Sequence, residues 1–152
     1  MQKLDKAEVA EIEVTYQPAI SEKPVIKSCL DAYNVIKSFI PANQIALKEF
    51  MVVLYLNNAQ RVIGAYKVSD GGITGTVADM RLILSVALKS VATNFIIGHN
   101  HPSGNMKPSE ADIALTKKLK DAGKLMDIKL LDHIILSPEE GTYFSMADEG
   151  LL

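Results

Sequence analysis

Two histidines and an aspartate have the residue types and the spacing of a metal site. His99 and His101 close the apolar run NFIIGHNH, and Asp112 follows eleven residues after His101 in the next predicted helix. Residues i and i+2 of a strand point to the same face, so the two imidazoles lie about 6 to 7 Å apart along the backbone and can converge on one ion. Hydrolytic zinc sites typically have three protein ligands of these types and a water. The spacing therefore predicts a metal site.

The same segment also has an interpretation without a metal. Ser109 to Asp112 reads SEAD, the Ser-x-x-Asp pattern of a capping box in which the serine is the helix N-cap. Because capping boxes are common, this pair alone favours capping by roughly two to one. A lone His-x-His is a weak signal. His-x-His-Pro-x-Gly followed by Ser-x-x-Asp is a strong one, and the combination favours the metal.

Metal-assisted hydrolysis also needs a base that moves a proton from water to the leaving group. Glu49 is the candidate, because it directly precedes the apolar run FMVVLYL. A carboxylate is costly to bury there unless it lies at the end of the sheet or serves a site. Base rates alone favour an exposed residue at a strand start by roughly three to one.

Strands and helices must alternate to position these residues. The helix predicted over 28–39 opens with a capping box, the strands 50–56 and 61–68 form a hairpin, and the helix 77–91 is apolar on most faces. The alternation predicts a single α/β domain with a mixed sheet flanked by helices. The remaining predicted elements are a half-exposed strand at 10–16, a glycine-rich loop at 69–76, an interior strand at 94–99, a helix at 109–122 that ends at AGK, and strands at 129–137 and 142–146.

Length and composition are those of one globular domain. The chain has 152 residues, of which 48% are hydrophobic, and this length can bury a sizeable core. No apolar run reaches the length of a membrane span. The start, MQKLDKAEVAEIEV, lacks the apolar core of a signal peptide, so we expect a cytoplasmic protein without a membrane partner.

Charge and cysteine content disfavour several classes of function. The 16 Lys and Arg residues against 18 Asp and Glu residues leave a formal charge of −2, without the basic excess that non-specific binding to nucleic acid requires. We expect the one basic run, TKKLK, to be a solvated helix face. The single cysteine, Cys29, cannot form an internal disulfide or a Cys-rich zinc site. It also cannot supply the Pro-Cys-x-x-Cys motif of a zinc deaminase.

The stretch GHNHPSGNMKPSEAD resembles the JAMM (MPN-plus) metalloprotease motif in the form found in RadC-like proteins. The similarity continues through EFMVVLYLNNAQRVIGAYKVSDGGITGT before it, and through LLDHIIL and FSMADEGLL after it. It covers about residues 24–152, a RadC-like JAB/MPN domain, and leaves residues 1–23 as an N-terminal arm with an edge strand. Ligands, base and flanking segments recur in the same order, which makes the resemblance specific.

The resemblance implies a cytidine-deaminase-like fold and a role for each site residue. His99, His101 and Asp112 would bind one Zn²⁺ with a water as the fourth ligand. Glu49 would polarise that water, and Ser109 would steady the tetrahedral oxyanion. These roles replace the base-rate interpretation of Glu49. Ser109 can still cap its helix, because one hydroxyl both accepts and donates.

The function that the resemblance implies is a zinc-dependent metallopeptidase or isopeptidase that acts on an unidentified peptide or protein. The alternatives are a non-catalytic binding module and a DNA-repair-associated role. RadC proteins usually carry a DNA-binding helix-hairpin-helix segment before the JAB domain, where this chain has about two dozen residues. The N-terminal strand could pair with an edge of its own sheet or with that of a neighbouring copy, and the second pairing would form a homo-oligomer. Residues 79–82 read DMRL where many relatives have His-Pro-Arg-Glu.

The third histidine, His133, lies in LLDHIIL and is not used by the motif. As one polar residue in a β run, it is expected to be a structural hydrogen-bonding residue. A role lining the site has odds of roughly one in four, because histidine so often serves functional sites.

Overall fold

The computed structural model describes residues 9–19, 22–70 and 78–152. In these ranges the chain forms three helices, α1 (Cys29–Ser38), α2 (Met80–Lys89) and α3 (Glu110–Leu125). It also forms five strands, β1 (Phe50–Leu56), β2 (Val62–Asp70), β3 (Asn94–Asn100), β4 (Lys129–Leu136) and β5 (Tyr143–Ser145). No helix in these ranges is both long and apolar enough to cross a membrane.

The five strands form one sheet in the order β2-β1-β3-β4-β5. Strands β3 and β4 are parallel, and the other three pairs are antiparallel. Parallel neighbours need a long crossover, which here contains α3. This mixed sheet with flanking helices confirms the predicted α/β architecture, including the hairpin of β1 and β2.

The inner strand β1, which lies between β2 and β3, is buried on both faces, and this explains its uninterrupted apolar sequence. Its side chains alternate between two core clusters, because successive residues of a strand point to opposite faces. One cluster joins β1 to Ile36 of α1, and the other joins it to Ile83 of α2 and Leu119 of α3. Helix α3 therefore covers the same face of the sheet as α2.

Helix α1 begins as the sequence predicted. The Ser28 hydroxyl accepts a hydrogen bond from the Asp31 amide at 3.3 Å, and the Asp31 carboxylate accepts one from the Ser28 amide at 3.0 Å. The capping box is therefore confirmed. Helix α2 starts later than predicted, because Asp79 is its N-cap and accepts from the Arg81 amide at 2.9 Å. Residue Val77, the predicted start, lies outside the described residues.

Helix α2 packs against the sheet, as its apolar sequence predicted, but it does so along one face only. Only Ile83 and Ala87 of this helix are buried, whereas Leu82 and Leu88 are 45% and 52% exposed. The helix lies on the sheet along a single stripe, so apolar residues on its other faces remain in solvent.

The strand predicted at 10–16 is not formed. Ile12 and Val14 are 87% and 70% exposed, and these residues join no strand. The edge of the sheet beside β2 is instead contacted by Val25, which forms an isolated bridge with Arg61. An alternating pattern shows which face a strand could bury, but it does not provide a sheet edge with which to pair. Of the predicted glycine-rich loop, residues 69 and 70 belong to β2 and 71–76 lie outside the described residues.

Helix α3 continues past the predicted stop at AGK and ends at Leu125. Gly123 lies inside the helix. The position requires glycine, because a Cβ there would collide with the backbone oxygen of Ile128 and would lie 3.2 Å from Cε1 of Phe95. The glycine therefore permits close packing and does not end the helix. The chain turns after Met126, at Asp127, whose φ is 55°.

Candidate metal centre

The site lies where β3 ends and α3 begins. His99 is the penultimate residue of β3, and the amide of His101 donates to the Leu136 carbonyl at 3.0 Å, which holds it beside β4. A turn follows in which the Gly104 amide donates to the His101 carbonyl at 2.9 Å, with the Gly104 φ at 79°. This turn reverses the chain, so the first turn of α3, with Asp112, faces the strand end.

The structure brings the three predicted ligands together. His99 Nε2 lies 3.0 Å from His101 Nε2 and 3.3 Å from Oδ1 of Asp112. His101 Nε2 lies 3.3 Å from Oδ2 of the same carboxylate. All three ligand atoms lie within 4.8 Å of one another. His99 is buried, while the His101 and Asp112 side chains are 13% and 16% exposed, so the cluster opens to solvent on one side.

The hydrogen bonds around His101 test whether these residues fit a metal ion. Its Nδ1 lies 2.6 Å from the carbonyl oxygen of Asn105, which can only accept. The neutral ring therefore carries its hydrogen on Nδ1 and presents a lone pair at Nε2, toward His99 and Asp112. Two imidazole nitrogens and a carboxylate oxygen form a donor set suited to a divalent cation such as zinc. The residues present fit such an ion.

The surroundings of Asp112 favour its ionised form. Burial raises the pKa of Asp112, but the facing His101 and His99 side chains outweigh it, and the pKa of this carboxyl is held well below its ordinary value. Protonated His101 can donate a hydrogen bond from Nε2 to the Asp112 carboxylate, which raises the pKa of His101. The first turn of α3 adds the favourable field of a helix N-terminus. Asp112 is therefore an anion at neutral pH.

Ser109 and Asp112 form the predicted capping box. The Asp112 amide donates to the Ser109 hydroxyl at 3.0 Å, and Oδ2 of Asp112 accepts from the Ser109 amide at 2.8 Å. Capping and metal binding are compatible, because a carboxylate has about four lone-pair sites and Oδ1 is turned toward His99. The two interpretations of the sequence are not alternatives.

Glu49 reaches the site from the neighbouring strand. The antiparallel pairing of Met51 with His99 places Glu49, two residues before Met51, beside His101. Glu49, His101 and Ser109 line one open cleft of about 540 Å³. Glu49 is half-buried, and within the described ranges no residue donates a hydrogen bond to its carboxylate. That carboxylate is therefore available to a water or a substrate in the cleft.

Asn100 holds the segment that carries Glu49, a role that we did not predict. Its buried side chain accepts from the Phe50 amide at 2.7 Å and donates to the carbonyls of Ile45 and Lys48 at 2.7 and 2.9 Å. The signal was present in the sequence: Asn100 lies between two histidines on a strand and must point to the opposite, apolar face. A buried amide there requires partners.

His133 contacts a candidate ligand directly. Its Nε2 lies 2.7 Å from Nδ1 of His99, and its Nδ1 lies 2.6 Å from the hydroxyl of Thr116. The ring is fully buried, and burial lowers its pKa well below the ordinary value. The expected structural hydrogen bonds are present, and one of them connects to the site.

Comparison with known proteins agrees with this geometry. The family model described as RadC-like JAB domain matches residues 26–151. The chain belongs to the RadC-like JAB domain family. The match spans β1, β3 and α3, so a RadC-like JAB domain contains every residue of the candidate site.

Several relatives of this RadC-like domain are similar over most of its length. A UPF0758 protein of Flavobacterium johnsoniae is 44% identical over 83% of the chain and 53% of its own length. One of Porphyromonas gingivalis is 38% identical over 95% of the chain and 63% of its own length. One of Methanococcoides burtonii is 34% identical over 86% of the chain and 55% of its own length. The chain thus spans between half and two thirds of these relatives, whose names state no activity.

Proposed function

We propose that this domain is a zinc-dependent hydrolase of the JAMM type that cleaves an amide bond in a peptide or protein. The observation that carries the proposal is the convergence of His99, His101 and Asp112 at a cleft that Glu49 and Ser109 also line. A ligand cluster alone would suit a structural ion. The open side and the adjacent carboxylate are what hydrolysis needs.

The ligand set His99, His101 and Asp112 would hold the ion. When bound, zinc supplies a Lewis acid that polarises the scissile carbonyl and a water that ionises near neutral pH. Glu49 lies beside this position without a hydrogen-bond donor from the described residues. Its carboxylate takes a proton from the attacking water and delivers it to the leaving amine, as a general base and then a general acid.

Ser109 contributes a hydroxyl whose direction is set by the capping box. Its oxygen accepts from the Asp112 amide, so the hydroxyl hydrogen can be donated toward the cleft. A donor placed there stabilises negative charge on the substrate oxygen in the transition state. Since that oxygen is less negative in the ground state, the interaction favours the reaction and not merely binding.

The proposal is tested by incubating the zinc-loaded protein with a defined mixture of peptides and isopeptide-linked conjugates, and identifying products by mass spectrometry. We expect cleavage that is lost in Glu49→Gln and in His101→Ala. Glu110→Gln is the matched control, because this exposed carboxylate lines the same cleft but is not one of the clustered ligands, and the change should leave turnover within a few-fold of wild type. Cleavage that persists in Glu49→Gln refutes the proposed base.

A non-catalytic binding module is the alternative that the same experiment separates. Such a module would bind zinc and would cleave none of the substrates, whether or not Glu49 is present. The full ligand set and the accessible Glu49 favour the enzyme, because a binding module needs neither an open metal position nor a base.

A further inference from the structure

A continuous line of hydrogen bonds connects helix α3 to His99. The Thr116 hydroxyl lies 2.6 Å from the carbonyl oxygen of Asp112 and 2.6 Å from Nδ1 of His133. Nε2 of His133 lies 2.7 Å from Nδ1 of His99. Thr116, His133 and His99 are 3%, 0% and 1% exposed, so bulk water does not compete for these bonds.

Each hydrogen in this line has only one consistent position when the rings are neutral. The Asp112 carbonyl can only accept, so Thr116 donates its single hydroxyl hydrogen to it and not to the weaker acceptor sulfur of Met146, 3.4 Å away. The threonine oxygen must then accept from Nδ1–H of His133. A neutral His133 ring has a single hydrogen, already on Nδ1, so its Nε2 carries a lone pair and accepts from Nδ1–H of His99.

The consequence appears at the far side of the His99 ring. With its hydrogen on Nδ1, this ring directs the Nε2 lone pair toward Asp112 and His101. His101 reaches the same tautomer differently, through the backbone carbonyl of Asn105. Two lone pairs therefore face each other across 3.0 Å beside a carboxylate, an arrangement that a cation between them stabilises.

We propose that Thr116 and His133 are positioning residues that fix the tautomer and the ring orientation of His99 for metal binding. The inference rests on the proposed metal centre and deepens it. The line begins at the carbonyl of Asp112, itself a candidate ligand, so the helix that supplies the carboxylate also orients the imidazole of β3. Outer partners of this kind typically change metal affinity by about 10- to 100-fold when removed.

Zinc affinity of three variants tests the proposal, measured by competition with a chromophoric chelator. Thr116→Val keeps the shape of the side chain but removes the hydroxyl, and it should weaken zinc binding by about 10- to 100-fold. Thr116→Ser keeps the hydroxyl and should restore binding to within about threefold of wild type. Thr93→Val is the matched control and should leave zinc affinity unchanged, because Thr93 precedes β3 at the end opposite His99.

Ring ¹⁵N chemical shifts of the wild-type protein give a second readout that needs no variant. We expect His99 and His133 to carry hydrogen on Nδ1 in the metal-free protein, and His99 to be metallated at Nε2 after zinc is added. A His133 that is protonated on Nε2 overturns the inference, as does Thr116→Val binding zinc as tightly as wild type. Wild-type protein that binds no zinc overturns the metal centre itself, an outcome distinct from unchanged affinity in the valine variant.

Discussion

The Asn100 side chain offers a quantitative test of how the fold positions Glu49. Its side-chain oxygen accepts a hydrogen bond from the Phe50 amide, and its nitrogen donates to the carbonyls of Ile45 and Lys48. These three backbone groups lie before and after Glu49 in the chain. Asn100→Leu removes all three hydrogen bonds at similar volume. A backbone group left without a partner in a buried site costs roughly 1–3 kcal/mol, so three such groups should cost at least about 3 kcal/mol.

That loss is a large fraction of the roughly 5–15 kcal/mol by which domains are usually stable. We would measure it by urea unfolding followed by circular dichroism, with a chelator present so that metal binding does not contribute. Asn34→Leu is the matched control, because Asn34 is exposed on α1 and its replacement should change stability by less than about 0.5 kcal/mol.

The same variant should also displace Glu49. Under conditions in which Asn100→Leu remains folded, we expect reduced turnover with zinc still bound, because the lost hydrogen bonds hold residues 45–50, which carry none of the ligands. A destabilisation of less than about 1 kcal/mol would refute the reasoning, since it would mean that water or a backbone shift satisfies these groups without the asparagine.

Three further predictions follow from the site and its supports. Glu49→Gln should abolish peptide turnover while retaining about one zinc per chain, as metal analysis and a cleavage assay on one sample would show. Gly123→Ala should lower the thermal midpoint, although alanine favours helices over glycine by about 1 kcal/mol, because its Cβ would collide with the Ile128 backbone oxygen; a raised midpoint contradicts this packing. Zinc uptake should weaken as pH falls from about 8 to about 5 in equilibrium dialysis, because Asp112 raises the pKa of His101 above 6.5 and protons then compete for Nε2. Uptake that is independent of pH would exclude histidine ligands.

The sequence predicted the sheet well because its strands have strong local signals. The β1 run FMVVLYL and the segment FIIG of β3 are apolar without interruption, as is typical of strands buried on both faces. The pattern failed at 10–16, where the alternation of Ile12 and Val14 was real but no sheet edge pairs with it. Pairing depends on distant residues, which a local pattern does not contain.

Glycine shows a second limit of local reasoning. The AGK stop predicted the end of α3 at Ala122, because glycine often follows a helix. Gly123 is instead required by the approach of the Ile128 carbonyl, a contact across a turn that only the folded chain defines.

The candidate site was predictable in part. His99, His101 and Asp112 could be proposed from type and spacing, because a strand, a turn and a helix N-terminus have fixed local geometries. The partners of His133 and Asn100 could not, because they depend on strand register and on which side chains face across the sheet. Such outer contacts decide the tautomer of His99 and the position of Glu49, and they are visible only in three dimensions.

The most direct test of the metal centre is the metal content of the purified protein after dialysis against zinc, measured by mass spectrometry beside His101→Ala and Glu49→Gln. The account predicts about one zinc per chain in wild type and in Glu49→Gln, and loss of the metal in His101→Ala. A wild-type protein that takes up no zinc, or a His101→Ala variant that keeps it, would contradict the proposed centre.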